Sequence, residues 1–375
     1  MEQNQVPISC LIVGNYCHDV LKKDDVVLAE SLGGAASFIS AVLDGLSVPS
    51  TVISKVGTDF SYSVTHPPLL IPSAQTTLFH AHFSSQIRRH DRLLKRIHAC
   101  DPITPSDLPI SRFHFGLAVG VAGEITPETL EKMLDKCDVV FVDVQSLIRV
   151  FDPIDGTVGL VPLKDSGFYH LLPRIGFLKA SADEAPYVDV EDARKKCCVL
   201  VTNGKEGCTV YGTDGEQGIA PFPTVQVDPT GAGDSFLGGF VGGLANGLAV
   251  PEAALLGNFF GSLTVGEMGL PQFDSRLLQA VKDEVEKKRL QFVGSHERQN
   301  GKLIFMKPLD HEEFLTALTA AKPKAAMGLT QERQTESPSS PMVVELHNHQ
   351  TCNGQPNSFP ISVCEEPIKS SDCAL

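Results

Sequence analysis

Residues 227–240 read VDPTGAGDSFLGGF, and this stretch joins an extended segment to an apolar helix pattern. The first amides of a helix have no intrahelical partner, and the helix dipole at that end favours negative charge. Glycine lets such amides approach an anion closely because it carries no Cβ. The stretch therefore predicts an anion hole formed by Gly231, Ala232 and Gly233 rather than a flexible linker. Asp234 is either a structural acid of the first helical turn or the base that deprotonates a substrate hydroxyl.

The glycines that follow Asp234 indicate a different role. Gly238, Gly239, Gly242 and Gly243 lie within the apolar helix pattern itself. Glycine weakens a helix unless something is gained in exchange. We interpret these two pairs as sites where neighbouring helices pack closely.

Short apolar segments alternate with helical patterns along most of the chain. Several of these segments are apolar at successive positions, which is typical of strands covered on both faces. Strand–helix alternation predicts an α/β fold with a central, mostly parallel sheet flanked by helices on both faces. Ligands of such folds bind at the carboxyl ends of the strands. The predicted strands are 8–14, 50–57, 112–119, 138–144, 174–180 and 197–204, and the main predicted helices are 127–137, 232–247, 251–266 and 275–290.

The composition excludes several classes of protein. The formal net charge is −14, from 31 basic and 45 acidic side chains, which argues against nucleic acid as a partner. The charge-free run 235–251 is rich in glycine and too short to cross a bilayer, so we expect no membrane association. Ten cysteines occur without a C-x-x-C pair, and the amino terminus does not resemble a signal peptide. We therefore expect reduced thiols and a cytoplasmic protein.

Two regions interrupt the strand–helix alternation. Residues 60–105 contain Pro, Ser, His and a basic cluster, and they form either a lid over the site or a surface excursion with a solvated basic face. From residue 322 onward the periodicity is lost, which predicts a disordered tail over 322–375. A zinc site in that tail is not expected, because the H-x-H-x-x-C pattern there lacks a fourth ligand. The residues of the basic cluster are Arg88, Arg89, Arg92, Lys95 and Arg96, and those of the H-x-H-x-x-C pattern are His347, His349 and Cys352.

A known family fits the predicted phosphate site. The chain contains neither a G-x-x-x-x-G-K-[ST] loop nor a G-x-G-x-x-G fingerprint after the first strand. DPTGAGDSFLGGF instead resembles the C-terminal signature of the PfkB (ribokinase-like) carbohydrate kinases, and LGGAASFISAVLDGLSVPSTVISKVGTDF (32–60) resembles their N-terminal signature. The two stretches occur in the order that the family has them, and the resemblance covers roughly residues 8–295.

The resemblance implies a fold, an activity and partners. It implies a ribokinase-like kinase domain over 1–321, with a small lid formed by about 20–32 and parts of 60–105, followed by the tail. It also implies transfer of the γ-phosphate of ATP, with Mg²⁺, to a hydroxyl of a small polyol. The stretches VGNYCHDVL, ESLGGAASFIS and FLKASADEA resemble the members that convert myo-inositol to inositol 3-phosphate, so myo-inositol is the expected substrate. No oligomeric state is implied.

The family pattern assigns roles to individual residues. Asp234 corresponds to the catalytic base, and Gly231, Ala232 and Gly233 correspond to the anion hole. Asp19 corresponds to a carboxylate that grips substrate hydroxyls; without the family it reads as a turn or cap residue. The remaining assignments are Gly33 and Gly34 to close approach of the substrate, Ser181, Thr202, Gly204 and Asn258 to ATP, and Glu184 to Mg²⁺ through water.

The chain departs from the family pattern at several positions near the substrate. Phe38 stands where the family usually has Asn, which removes a polar contact to a sugar hydroxyl. The usual N-x-x-E is Ser181-x-x-Glu184, a pattern that also suits a helix N-cap with acids in its first turn. The usual D-x-N is Asp143-x-Gln145. These departures argue against the common furanose and hexose substrates.

Three alternatives to an inositol kinase stay open at this point. The first is a kinase of another sugar, polyol or nucleoside, which would share the whole nucleotide half. The second is a non-catalytic relative that serves as a scaffold, which would not need to retain Asp234 and its glycines. The third, a dinucleotide enzyme on a similar sheet, is disfavoured by the missing fingerprint.

Overall fold

The structure is a computed structural model that describes residues 7–24, 26–83, 93–293 and 303–322. The chain divides into two units, 1–330 and 331–375, and the second lies wholly outside the described residues. Of the predicted tail 322–375, the structure describes only Lys322, which is buried and donates to the Pro223 carbonyl across 2.7 Å. The rest of the tail, with its H-x-H-x-x-C pattern, lies outside the described residues, as do Arg88, Arg89 and Arg92 of the basic cluster.

The strands lie in two larger and two smaller sheets. In chain order they are β1 Cys10–Val13, β2 Cys17–Lys23, β3 Val26–Gly33, β4 Ser50–Ile53, β5 Lys55–Val56, β6 Leu69–Leu70, β7 Thr77–Phe83, β8 Leu93–His98, β9 Phe113–Ala118, β10 Cys137–Asp143, β11 Arg149–Phe151, β12 Val158–Leu160, β13 Phe177–Ser181, β14 Cys198–Thr202, β15 Cys208–Gly212 and β16 Gly215–Ile219.

The helices include the four that the sequence pattern predicted most clearly. In chain order they are α1 Ala35–Gly45, α2 Pro127–Lys136, α3 Gln145–Ile148, α4 Ala185–Val188, α5 Val190–Ala193, α6 Ala232–Ala245, α7 Val250–Thr264, α8 Ser275–Val293 and α9 His311–Ala321. None of the helices in the described ranges is long and apolar enough to cross a membrane.

The main sheet confirms the predicted α/β architecture. Its strand order is β16-β15-β14-β13-β10-β9-β1-β4, and all of its neighbours pair in parallel except β14–β15 and β15–β16 at one edge. The chain therefore moves outward from β1 first to β4 on one side and then to β9 and onward on the other. Such a reversal of direction leaves a crevice at the carboxyl ends of the central strands, where α/β folds bind ligands.

One predicted strand, 50–57, is wrong as a single element. The structure divides it into β4 in the main sheet and β5, which pairs with β6. Side chains explain the break: the Ser54 hydroxyl accepts from the Tyr16 amide across 2.7 Å, and the Lys55 amide donates to Asn15 Oδ1 across 2.7 Å. These bonds replace the sheet pairing at the point where the chain leaves β4.

The continuous apolar runs arise because both faces of the main sheet are buried. In β1, Cys10 and Ile12 belong to one hydrophobic cluster and Leu11 and Val13 to the other. Alternate side chains of a strand point to opposite faces, so a strand with two covered faces needs no polar positions. The first cluster includes side chains of α1, α6 and α7, and the second includes those of α2.

The glycine pairs of α6 serve close packing, as the sequence indicated. A Cβ at Gly239 would lie 2.8 Å from the Leu256 carbonyl oxygen in α7, and one at Gly243 would lie 3.0 Å from the Cα of Ala253. On the other side, a Cβ at Gly242 would lie 2.4 Å from a methyl carbon of Leu46, just after α1. These distances leave no space for a side chain, so α6 can be flanked this closely only with glycine.

A four-stranded sheet in the order β3-β2-β7-β8 lies beside the main sheet. It is formed from the segments predicted to contain a lid, 20–32 and parts of 60–105. β2 pairs antiparallel with β3 and parallel with β7, so Asp19 lies between Ser31 and Phe79.

The hairpin β11–β12 contacts the outer strand of this small sheet. Lys95 Nζ lies 2.6 Å from Asp155 Oδ2, and the Arg96 amide donates to the Gly156 carbonyl across 2.8 Å. The Arg96 guanidinium also lies 3.6 Å from the centre of the Phe151 ring. The hairpin therefore connects the small sheet to the polypeptide that follows β10 in the main sheet.

Candidate active site

A cavity lies between the small sheet and the first turn of α6. It brings together four of the predicted site residues: Asp19, Gly34, Gly231 and Asp234. Phe38, Gln145 and Arg149 line the same cavity. Asp19 and Asp234, which are far apart in sequence, thus line the same cavity. Each contributes a carboxylate.

The turn before α6 is held in shape by Asp228. The buried Asp228 carboxylate accepts hydrogen bonds from the amide and the hydroxyl of Thr230, across 2.9 and 2.7 Å. Gly231 then adopts a left-handed φ of 75°, a conformation that favours glycine. The first bond of the α6 ladder runs from the Ser235 amide to the Gly231 carbonyl across 2.8 Å, so residues 231–234 form the amino-terminal end of the helix. Among the three predicted anion-hole amides, that of Ala232 donates to the Pro229 carbonyl across 3.3 Å.

The structure gives a further reason why this turn contains glycine. A Cβ on Gly231 would lie 2.1 Å from Cε1 of Phe38, and one on Gly233 would lie 2.9 Å from Lys179 Nζ. Sequence reasoning explained both glycines by the approach of an anion. In the structure, the positions that side chains would occupy are taken by an aromatic ring and an ammonium group.

Asp234 is held at the cavity by a side-chain amide and by nearby charges. Gln145 Nε2 donates to Asp234 Oδ1 across 3.3 Å. Burial raises the pKa of Asp234 above its ordinary value, while the positive charges of Lys179 and Arg149 oppose the rise. A carboxylate with a raised pKa is a stronger base than a solvent-exposed one, which suits removal of a proton from a hydroxyl.

Beneath the turn lies a buried ion pair that sequence reasoning missed. Lys179 Nζ, in β13, lies 2.9 Å from Asp143 Oδ2 at the end of β10, and both side chains are buried. Burial alone would lower the pKa of Lys179, but the carboxylates of Asp143, Glu184 and Asp234 raise it. The available signal was a lysine near the carboxyl end of the predicted strand RIGFLKA, where a buried charge requires a partner.

The predicted Ser181–Glu184 pair forms a local hydrogen-bonded unit. Glu184 Oε2 accepts from the Ser181 amide and hydroxyl across 2.8 and 2.9 Å, and the Glu184 amide donates back across 3.3 Å. Burial raises the pKa of Glu184, but the charge of Lys179 and the hydrogen bonds from Ser181 lower it by more. The net shift of the pKa is therefore downward. Glu184 therefore stays ionised next to the carboxyl end of β13.

The predicted nucleotide residues are distributed over the adjacent strand ends. Thr202, at the end of β14, pairs with Ser181 in the parallel register, and Gly204 follows in a turn with φ of 55°. Asn258, in α7, donates from Nδ2 to the carbonyls of Ile219 and Ala220 across 3.3 and 2.9 Å. Its amide thus holds the end of β16 against α7.

The two glycines before α1 admit close contacts on the opposite side of the cavity. A Cβ on Gly33 would lie 2.0 Å from Asp19 Oδ2, so the carboxylate rests directly on the glycine backbone. Gly34 has φ of 87°, and a Cβ there would lie 2.4 Å from the Asn15 carbonyl oxygen. Gly33 therefore leaves space for the Asp19 carboxylate, and Gly34 allows the chain to pass close to the backbone of Asn15.

The architecture defines a class of protein. A parallel α/β sheet carries a helix N-terminus suited to an anion at its carboxyl edge, beside a half-buried carboxylate and under a second sheet. This is the arrangement expected of a phosphotransferase that acts on a small molecule.

Comparisons with known proteins identify the family. Residues 179–275 match the model of the pfkB family of carbohydrate kinases. The chain is 59% identical to an inositol 3-kinase of Arabidopsis thaliana over 83% of this chain and 87% of that protein. It is 50% identical to an inositol 3-kinase of Oryza sativa subsp. japonica over 88% of this chain and 85% of that protein.

A solved structure shows the same fold. A pyrophosphate-dependent kinase of the ribokinase family, complexed with a pyrophosphate analog and myo-inositol, superposes with a TM-score of 0.60 at 18% identity, covering 70% of this chain and 97% of that one. The chain belongs to the pfkB family of carbohydrate kinases and has the ribokinase-like fold. It is a kinase whose acceptor is an alcohol group.

Proposed function

We propose that this kinase transfers the γ-phosphate of ATP to the 3-hydroxyl of myo-inositol. The observation that carries the proposal is the cavity shared by Asp19, Gly231 and Asp234. An uncharged ring of hydroxyls needs hydrogen-bonding carboxylates on one side and a phosphoryl site on the other, and this cavity offers both. The choice of myo-inositol and of its 3-hydroxyl is supported by the names of the plant relatives at 59% and 50% identity.

Asp234 is the proposed base. As the substrate hydroxyl attacks the γ-phosphorus, its proton passes to a carboxylate oxygen of Asp234, and the bond to the ADP leaving group breaks in line with it. The bond from Gln145 occupies Oδ1 and fixes the carboxylate plane, so Oδ2 is the oxygen that we assign to the proton. Asp19, on the opposite wall, orients the ring by accepting hydrogen bonds from other hydroxyls.

The amides of Gly231, Ala232 and Gly233 are the proposed site of the transferred phosphoryl group. Ser181, Thr202, Gly204 and Asn258 are proposed to line the path of the nucleotide, which would follow the carboxyl ends of β13 and β14 toward α7. Fixed amides stabilise charge on a phosphoryl group without having to reorganise during the reaction.

Magnesium fits this site only through water and phosphate oxygens. Among the described residues, no group of three or more His, Cys, Asp and Glu side chains could hold a metal ion directly. Glu184 stays ionised, and its Oε2 is already bonded to Ser181, so Oε1 is the atom that we assign to an Mg²⁺-bound water. When bound, the ion would neutralise charge on the phosphates, and it usually keeps several of its waters.

The small sheet is the proposed lid. Asp19, Leu21, Phe79 and Ala81 contribute its cavity-facing surface. Closure of such a surface over the reacting groups excludes water and limits hydrolysis of ATP.

A substrate panel tests the proposal. ATP consumption would be measured with myo-inositol, ribose, fructose and adenosine as acceptors, and pyrophosphate would replace ATP as donor in a parallel series. The position of the new phosphate would be read by NMR. We expect ATP with myo-inositol to give the highest kcat/KM and a 3-phosphate product; a preference for another acceptor, or another ring position, would overturn the assignment.

A further inference from the structure

The buried side chain of Lys179 ends next to Gly233, a residue of the proposed phosphoryl site. Lys179 is only 5% exposed. If residue 233 carried a side chain, its Cβ would lie 2.9 Å from Lys179 Nζ. The ammonium group therefore lies close to the backbone of Gly233 at the start of α6.

The ammonium group is charged. It is paired with Asp143 at 2.9 Å, and the further carboxylates of Glu184 and Asp234 also act on it. The positive charge of Arg149 also acts on Asp234, where it opposes the rise in pKa that burial causes. Lys179 and Arg149 therefore both place positive charge near a point where negative charge must be accommodated.

Stability alone does not explain a buried ion pair of this kind. Removing two charges from water costs about as much free energy as their attraction returns, so a well-packed apolar pair is often equally stable. A lysine held next to a glycine turn supplies a fixed positive charge, which an apolar residue cannot. Its charge acts over a short distance in a buried region, where electrostatic interactions are stronger than in water.

We propose that Lys179 is a positioning residue whose buried charge, acting through the Gly233 turn, stabilises the phosphoryl group during transfer. The inference rests on the proposed phosphoryl site at residues 231–233. Asp143 holds the ammonium group in place, and Gly233 is required because a side chain there would displace it. Loss of the charge should therefore lower kcat much more than it raises the KM for myo-inositol.

The competing explanation is that Lys179 serves only to neutralise Asp143. Two variants separate these roles. Lys179→Met leaves the Asp143 carboxylate buried without its partner, so it should lose both stability and activity. The double variant Lys179→Met/Asp143→Asn removes both charges, and the Asn can still accept the bond that the Gln145 amide donates to Asp143 Oδ1 across 3.2 Å.

We expect the double variant to recover most of the unfolding free energy that Lys179→Met loses. We also expect its kcat to stay about 10²-fold or more below that of the unaltered protein, the size of effect seen when one charge-stabilising group is lost. Its KM for myo-inositol should change by no more than a few-fold. Recovery of kcat to near the unaltered value would overturn the proposal and leave Lys179 as a structural counter-ion.

Lys179→Arg supplies a second measurement if the double variant does not fold. It keeps the charge while changing the shape, so we expect it to retain at least about ten times the kcat of Lys179→Met. Equal kcat values for the two variants would contradict a role of the charge. Failure of the proposed function would be distinct, since the unaltered protein would then show no ATP-dependent phosphorylation of myo-inositol.

Discussion

The ring of Phe38 fills the space behind Gly231, so that a Cβ at position 231 would lie 2.1 Å from the ring carbon Cε1. Phe38 itself is 2% exposed and lies in α1, while Gly231 is the N-cap residue of α6. The packing of two helices and the shape of the phosphoryl-binding turn are therefore set by one contact.

Substitution of Gly231 should reduce stability as well as activity. Gly231→Ala forces a Cβ into the Phe38 ring and places an alanine at a φ of 75°. We expect the unfolding free energy to fall by about 2–4 kcal/mol, of which about 1–2 arises from the backbone and the rest from overpacking.

Gly167→Ala is the matched control for the backbone contribution. Gly167 has a φ of 81°, and nothing lies within 4 Å of the Cβ that alanine would add. It should therefore lose only about 1–2 kcal/mol in urea denaturation. Equal losses for the two variants would show that the Phe38 ring yields without cost.

The contact between the small sheet and the β11–β12 hairpin should limit the hydrolysis of ATP, in which water replaces the substrate hydroxyl as acceptor. Arg96→Ala removes the stacking on Phe151 at 3.6 Å and the guanidinium bond to the Ala122 carbonyl. Loss of a cation–π contact of about 1–2 kcal/mol would weaken attachment of the lid. We expect ATP hydrolysis without myo-inositol to increase several-fold relative to phosphorylation.

Arg112→Ala is the control for removal of an arginine. Arg112 is exposed and lies 3.5 Å from Asp138 at the surface, where ion pairs contribute little. It should leave the ratio of hydrolysis to phosphorylation unchanged. If Arg96→Ala also left that ratio unchanged, the small sheet would not act as the barrier to water.

His311 should make the unfolding free energy depend on pH in the mildly acidic range. Its side chain is 2% exposed, and Nδ1 has no hydrogen-bond partner among the described residues. Burial lowers its pKa to about 4, assisted by Lys307 and Lys288 and opposed by Glu312 and Asp310. In the unfolded chain the pKa returns to about 6.5, so between these values only the unfolded chain binds the proton.

The unfolding free energy should therefore fall as the pH decreases from about 6.5 toward 4. His311→Leu removes this contribution, so its stability should fall less steeply than that of the unaltered protein over the same interval. Urea denaturation at several pH values measures both slopes. Parallel slopes would mean that His311 is already protonated, or already solvated, in the folded protein.

Local sequence patterns predicted the central strands of the main sheet because β1, β9, β10, β13 and β14 are buried on both faces. The edge strands β15 and β16 were not predicted, and β16 is largely exposed. An apolar run such as residues 138–144 gives β10 directly, and the glycines before an apolar helix gave the start of α6. The small sheet was predicted only as a lid region, since its strands expose one side. In β3, Val26, Val27 and Leu28 are more than 40% exposed, so hydrophobicity there does not indicate burial.

The candidate site divides along the same line. Residues within one motif, such as Gly231 and Asp234, could be predicted to lie together because their spacing places both at the start of one helix. The pairing of Lys179 with Asp143 could not, because it depends on β10 and β13 being neighbours in the sheet. The Phe38–Gly231 contact likewise requires the packing of α1 on α6. Contacts between distant segments depend on the strand order and the helix packing, which local sequence patterns do not predict.

The most direct test of the account is the phosphorylation rate of Asp234→Asn with ATP and myo-inositol. Asn keeps the size of the side chain and can still accept the bond from Gln145, so we expect normal unfolding behaviour and normal ATP binding. Without a base, kcat should fall by about 10²–10⁴-fold. A variant that folds, binds ATP and keeps kcat within a few-fold of the unaltered protein would contradict the assignment of Asp234 as the base.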